Sequence, residues 1–333
     1  MPPRSPYAGS TALVTGAQGF KGAWLAERLL GEGARVVVTR RDVEPLSRFR
    51  TEGIEERCIV APVDVVDYAG LLALIGEHDV RAVFHLAGQA IVRVAHRSPL
   101  SSFESNIRGT YTLLEACRAA TERGHALERI VVASTDHAYG GGGELPYRED
   151  KPLDAAYPYD VSKACADMIA RSYAATYDLP VGVTRIANCF GGGDRNWSRI
   201  VPDTMRALVR GERPVIRSDG TPERDYIYVE DAIEVYLTVG ASLDDRAMWG
   251  RAWNAGLARP VSVLELVRHV IAASGQEVHP EILGTGAPLE IDRQWPDSTA
   301  IREELGWEPR WDLDTALART YEWYERALIP VPA

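Results

Sequence analysis

Short apolar runs rich in Val and Ile alternate with helical patterns through the first half of this chain. The runs at residues 12–15, 35–39, 57–62, 82–86, 129–134 and 181–186 read as strands. Between them, residues 23–30, 68–76, 106–123 and 162–177 place apolar side chains at helical spacing. Such alternation predicts an α/β fold, a doubly wound parallel Rossmann sheet with helices on both faces. A dinucleotide bound to that fold lies at the carboxyl ends of the strands, where the strand order reverses.

The pattern changes after Asn188. Loops rich in Gly, Pro, Asp and Arg run to about Glu223, broken by a helix near residues 201–210. Two further helices are expected at 261–274 and 315–327, and two returns to the main sheet near 226–229 and 252–254. These assign residues 1–187 plus about 226–256 to the dinucleotide-binding domain. About 188–225 plus 257–333 make a smaller C-terminal substrate-binding lobe. The glycine clusters at 140–143 and 191–193 read as flexible loops.

Composition narrows the function without naming it. With 333 residues, 46% hydrophobic and 25% charged, the chain suits a soluble globular protein. No segment approaches the roughly 18 apolar residues of a membrane span. The first residues lead into a strand with no apolar signal region, so a cytoplasmic protein without membrane contact is expected. A net charge of −10 argues against nucleic-acid binding. It still permits an anionic small molecule where a few arginines converge. Cys58, Cys117, Cys165 and Cys189 are scattered, so neither a metal site nor a disulfide is expected.

Two motifs carry the chemistry. Gly16, Gly19 and Gly22 stand as G-x-x-G-x-x-G between a strand and a helix, where exposed N–H groups and the helix dipole suit a pyrophosphate. Tyr159 and Lys163 stand as Y-x-x-x-K, one helical turn apart on one face. Together they point to a nicotinamide enzyme with a tyrosine base.

Further along, His85-Leu86-Ala87-Gly88-Gln89, Asn106-Ile107-Arg108-Gly109-Thr110 and Arg224-Asp225-Tyr226-Ile227-Tyr228-Val229-Glu230-Asp231 extend the pattern. Along nearly its whole length the chain resembles the extended short-chain dehydrogenases/reductases, in the branch of sugar-nucleotide epimerases and dehydratases. Gly19-Phe20-Lys21-Gly22-Ala23-Trp24-Leu25, with Gly191-Gly192-Gly193-Asp194 and Arg199-Ile200-Val201-Pro202, is most similar to CDP-glucose 4,6-dehydratases. GDP-mannose 4,6-dehydratases are near relatives. The resemblance implies cofactor contacts from Gly16, Gln18, Gly19, Phe20 and Gly22, from Asp64 and Val65 near the adenine, and from Leu86, Ala87, Gln89, Asn106 (at a helix start), Tyr159, Lys163 and Ile186. It also implies a homodimer joined through the helices at 106–123 and 162–177.

In such enzymes the tyrosine phenolate removes the proton of the sugar 4-hydroxyl while hydride leaves C4 for the nicotinamide. A neighbouring lysine ammonium and the cofactor's charge lower the tyrosine pKa. Thr135 matches the residue that hydrogen-bonds the 4-oxygen. In 4,6-dehydratases an Asp next protonates the departing C6 hydroxyl, and a Glu or Lys removes the C5 proton. Asp136 matches the acid, but His137 stands where Glu or Lys is expected. An imidazole is substantially unprotonated at neutral pH and suits that base. The expected function is an NDP-hexose 4,6-dehydratase, a lyase; the alternative is an NDP-sugar 4-epimerase on the same scaffold, which needs no such acid–base pair.

At the end of the second strand, Arg40 and Arg41 stand where NAD-binding members place an acid, followed by Asp42. Arginines suit a 2′-phosphate and favour NADP, while the CDP-glucose resemblance implies NAD. A solvated charged turn is the plain alternative. For the nucleotide-sugar substrate, Asn188 matches the family's phosphate contact, and Arg199, Arg224 and Arg293 are the arginines expected to clamp the diphosphate.

Overall fold

The computed structural model describes residues 5–285 and 291–328. Its centre is a seven-stranded sheet of β1 (Thr11–Thr15), β2 (Arg35–Thr39), β3 (Ile59–Ala61), β4 (Val80–His85), β5 (Arg129–Thr135), β6 (Val181–Ile186) and β7 (Ala252–Ala255). All neighbours pair parallel in the order β3-β2-β1-β4-β5-β6-β7. The strands are apolar on both sides because both faces are covered. Ala12 and Val14 enter one core, and Leu13 the other.

The helices α1 (Phe20–Gly31), α2 (Tyr68–Glu77), α3 (Gly109–Glu122), α4 (Pro158–Tyr177), α5 (Ile200–Val209), α6 (Val229–Ser242), α7 (Val263–Ser274) and α8 (Leu313–Leu328) supply the layers. Leu74 of α2, Leu113 of α3 and Ala170 of α4 fill one core. Leu25 of α1 and Ile233 of α6 fill the other, which continues into α5, α7 and α8. No helix is long and apolar enough to cross a membrane among the described residues.

Several sequence expectations are corrected. The return at 226–229 does not join the main sheet: Tyr226–Tyr228 pairs parallel with Asn188–Phe190 in a separate two-stranded sheet. The expected return at 252–254 does join it, as edge strand β7 beside β6. Residues 261–274 divide, because Ser262 ends a short strand and caps α7 in a reciprocal box with Glu265. The strand expected at 57–62 shrinks to β3 behind a short helical turn at Glu55–Arg57.

Asn106 does not start a helix either. It lies within a π-helical turn, Glu104–Arg108, that joins Pro99–Phe103 to α3. Gly191–Gly193 is not a loose loop. These glycines are buried, and a Cβ on Gly192 would stand 2.4 Å from the Trp323 ring.

One buried ion pair holds this frame around α4. The Arg185 guanidinium on β6 donates through Nε (2.8 Å) and Nη2 (3.0 Å) to the two carboxylate oxygens of Asp167 on α4. Its Nη1 donates to the Tyr139 hydroxyl at 2.7 Å, which donates to Asn254 Oδ1 on β7 at 2.8 Å. Removing the carboxylate strands a guanidinium away from water. Asp167→Ala is therefore expected to cost about 3–5 kcal/mol in chemical denaturation; a loss below about 1 kcal/mol contradicts that reading.

Candidate active site

The turn after β1 is shaped by contact rather than by flexibility. Gly16 has φ 76°, and a Cβ there would lie 2.7 Å from the Ala87 amide nitrogen. On Gly22 it would lie 2.1 Å from the Gly16 carbonyl oxygen. Both distances are too short for any side chain, so the backbone of β1, α1 and the β4 end close on one another. Gly19 is the N-cap of α1 and supplies no side-chain cap, which leaves the first helical N–H groups for a ligand. This cradle lies between β1 and β4, where the strand order reverses. These features fit a dinucleotide pyrophosphate.

The other expected cofactor residues surround that cradle. Leu86 and Ala87 follow β4, and their amides donate to Thr15, to its carbonyl (3.3 Å) and its hydroxyl (3.1 Å). Asn106 Oδ1 accepts from the Gln89 amide at 2.6 Å, and Nδ2 donates to the Ser162 hydroxyl at 2.8 Å. The π-helical turn thus ties the β4 loop to α4. Asp64 Oδ1 accepts from the Val66 amide at 3.3 Å beside buried Val65, and Ile186 ends β6. Phe20 opens α1. Gln18 holds the loop after β2 through the Asp42 carbonyl and the Glu44 amide. In that loop Arg40 pairs with Glu55 at 2.6 Å, and exposed Arg41 pairs with Asp42 at 2.6 Å.

The catalytic candidates converge from β5 and α4. Thr135 ends β5 and donates to Asp136 Oδ1 at 3.1 Å, while its hydroxyl accepts from the His137 amide at 3.4 Å. The chain then turns through Asp136–Tyr139. His137 packs edge-on against Tyr159, ring centroids 5.8 Å apart. Its Nδ1 lies 3.3 Å from Asp160 Oδ1. Lys163, one turn further on α4, donates to the Ala133 carbonyl at 2.7 Å.

Burial sets the proton affinities. Asp136 is raised above the usual carboxyl range by loss of water, against the opposing pull of His137, Thr135 and Arg224. For His137 burial opposes the charge, but the Asp160 hydrogen bond and the Asp136 and Asp160 charges prevail and raise it. Tyr159 is raised by burial, with Lys21 and Arg199 as the cations that pull it down. Sequence reasoning assigned that pull to Lys163 together with the cofactor's charge. The ammonium of Lys21 faces the same space instead, over the Tyr236 ring at 5.5 Å from its centroid.

Arg199, at the start of α5, pairs with Asp194 at 2.8 Å and is the second cation near Tyr159. Asn188 reaches the Asp225 carbonyl through Nδ2 at 3.4 Å. Arg224 donates to the Asp292 carbonyl at 3.2 Å, and its charge acts on both Asp136 and His137. Arg293 is set apart: it is exposed, pairs with Glu223 at 2.8 Å and stacks over Trp295.

Sequence reasoning also missed Asp160 and Asp167. With Lys163 they form a charged stripe at i, i+3 and i+7 on α4, all buried against the sheet. That spacing on a buried face rich in alanine was the available signal.

Comparison with known proteins agrees with this geometry. A family model described as GDP-mannose 4,6 dehydratase matches residues 13–320. The chain belongs to that family. It is an extended short-chain dehydrogenase/reductase of the epimerase/dehydratase type. It is 31% identical to a UDP-glucose 4-epimerase of Mycolicibacterium smegmatis, over 94% of this chain and 97% of the relative. Identity to a CDP-glucose 4,6-dehydratase of Salmonella typhimurium is 28%, over 96% and 91%. The crystal structure of a dTDP-glucose 4,6-dehydratase from Streptomyces venezuelae, solved with NAD bound, superposes with a TM-score of 0.82 at 26% identity, covering 95% of this chain and 97% of that one. Family members of both reaction types thus resemble this chain.

Lys163 gives a pH test in the cofactor-free protein. Burial, and Lys21 after it, push its ammonium down to about 7. The unfolded value is near 10.4, so between the two the unfolded chain holds the extra proton and stability rises with pH. Lys163→Met is expected to raise the melting temperature at pH 7 and to flatten that rise up to about pH 10. A melting profile parallel to wild type contradicts the assignment.

Proposed function

We propose that this enzyme is an NDP-hexose 4,6-dehydratase, converting a CDP-glucose- or GDP-mannose-type substrate to its 4-keto-6-deoxy product. The observation that carries the reading is the pairing of a buried Asp136, its carboxyl raised by loss of water, with a His137 that faces Asp160 directly beside Tyr159. A nicotinamide dinucleotide held by the glycine cradle after β1 would supply hydride uptake from C4 and hydride return at C6. Tyr159 accepts the proton of the 4-hydroxyl while Thr135 holds that oxygen. The C4 carbonyl so formed acidifies the neighbouring C5–H.

His137 removes the C5 proton, and the electron pair left behind forms the C5=C6 bond. The C6–O bond breaks, and Asp136 supplies the proton that lets the hydroxyl leave as water. One carboxyl oxygen of Asp136, Oδ2, is buried with no hydrogen-bond partner among the described residues, which suits a proton held for donation. The proton held on His137 then returns to C5. The separation of the His137 and Tyr159 rings suits two groups acting on adjacent carbons. An epimerase needs only Thr135 and Tyr159, and gives Asp136 and His137 no task.

The same proposal assigns Asn188, Arg199 and Arg224 to the substrate diphosphate and leaves Arg293 outside it. The cofactor is NAD(P). NAD is favoured over the NADP expected from Arg40 and Arg41, because Glu55 and Asp42 already neutralise those guanidinium groups. A homodimer through α3 and α4 belongs to it as well, since Tyr111, Met168 and Tyr177 are large apolar side chains exposed on those helices.

Mass spectrometry of products from CDP-glucose, GDP-mannose, UDP-glucose and dTDP-glucose decides the reaction. Loss of one water from one substrate is the expected result. A 4-inverted isomer of unchanged mass establishes the epimerase instead. In His137→Ala, C4 oxidation is expected to persist while C5 exchange with solvent falls by about 10²–10⁴. Exchange at the wild-type rate excludes His137 as the base.

A further inference from the structure

Asp160 has no role in the chemistry described so far, yet its surroundings are unusual. It follows the catalytic tyrosine in the first turn of α4 and is 3% exposed. Its Oδ1 is buried and has no hydrogen-bond partner among the described residues; the group that faces it is His137 Nδ1, an ion-pair contact at 3.3 Å. A carboxylate shut away from water without a partner is costly, so the imidazole is what makes this position tolerable. The other groups facing His137 are Asp136 in its own turn, the Tyr159 ring on α4, and Arg224 from the short strand Glu223–Arg224.

A carboxylate at Nδ1 selects one tautomer. It favours the proton on Nδ1 and leaves the lone pair on Nε2. The ring is also fixed in plane by the edge contact with Tyr159. We propose that Asp160 is a positioning residue that holds His137 as the Nδ1–H tautomer, turning its Nε2 into the base for the substrate C5 proton. The acid–base pair of this chain is then a relay from two elements. Asp160 comes from α4 with the tyrosine base, and His137 from the turn after β5 with the acid. The order of Tyr159 and Asp160 along α4 places the C4 base and the support of the C5 base one residue apart. The inference rests on the dehydratase reading for its chemistry, but the Asp160–His137 pair stands on geometry alone.

The test is run on full-length holoenzyme in two arms. In the first, histidine-selective ¹⁵N NMR of wild type, identified by loss of the signal in His137→Gln, reads the tautomer and titration of His137. The expected result is an Nδ1–H ring that titrates above the usual histidine value of about 6.5 and moves down in Asp160→Asn. An Nε2–H ring, or an unmoved titration in Asp160→Asn, overturns the inference whatever reaction is catalysed. Asp160→Ser replaces the asparagine variant if the latter fails to fold.

In the second arm, substrate is incubated in D₂O, and C5 deuteration is followed beside the 340 nm signal of C4 oxidation. In Asp160→Asn, C4 oxidation persists, C5 exchange falls about 10²-fold, and the acid limb of its pH profile moves to lower pH. Exchange at the wild-type rate with an unmoved limb overturns the inference. If wild type inverts C4 without losing water, the dehydratase reading fails, and the first arm alone decides the pair.

Discussion

The Arg185–Asp167 pair is the constraint around which the active side of this molecule is arranged. Two strong, charge-assisted hydrogen bonds clamp the middle of α4 to β6. A third runs to Tyr139, at the end of the turn that carries Asp136 and His137. Tyr159, Asp160 and Lys163 ride on the clamped helix, and the acid and the imidazole on the clamped turn. Because Tyr139 also reaches Asn254, the same network fixes β7, the edge strand contributed by the C-terminal part of the chain. Shifting α4, β6 or the Tyr139 turn separately would break a bond to a buried charge, which resists small displacements of the site.

Within that frame, electrostatics separate two groups that adjacent positions would otherwise make alike. For Asp136 the loss of water outweighs the pull of His137 and Arg224, and its carboxyl is raised. His137 is next to it in sequence but turns towards Asp160, where positive charge is favoured. The proposed acid and base are thus consecutive residues, each tuned by what it faces. Lys21 and Arg199 add a second pattern. Both cations bear on Tyr159 from outside α4, one from the cofactor turn and one from the start of α5. The reactivity of the tyrosine is therefore coupled to the elements expected to grip cofactor and substrate.

Much of this was legible in the sequence, and the gaps have physical reasons. The parallel sheet was readable because strands buried on both faces are continuous apolar runs, and the glycine turn because its spacing admits no side chain. Residues 226–229 were misplaced because a three-residue apolar strand looks the same in either sheet; only its pairing with Asn188–Phe190 distinguishes them. Gly191–Gly193 read as a flexible loop, although those glycines admit Val229, Trp323 and Arg48 in turn. Asp160, Asp167 and Lys21 escaped because a single charged residue on a helix is ordinarily solvated. Their partners lie on other elements that local patterns do not bring together.

The central claim is that hydrogen leaving C4 of the sugar comes back at C6 of the same molecule, which demands elimination between the two transfers. A nucleotide hexose carrying deuterium at C4 tests this directly, with NMR and mass spectrometry of the product. The account predicts a 4-keto product one water lighter, with the label in the new C6 methyl group. A product that keeps the label at C4 on an inverted centre, or loses it to solvent, contradicts the account.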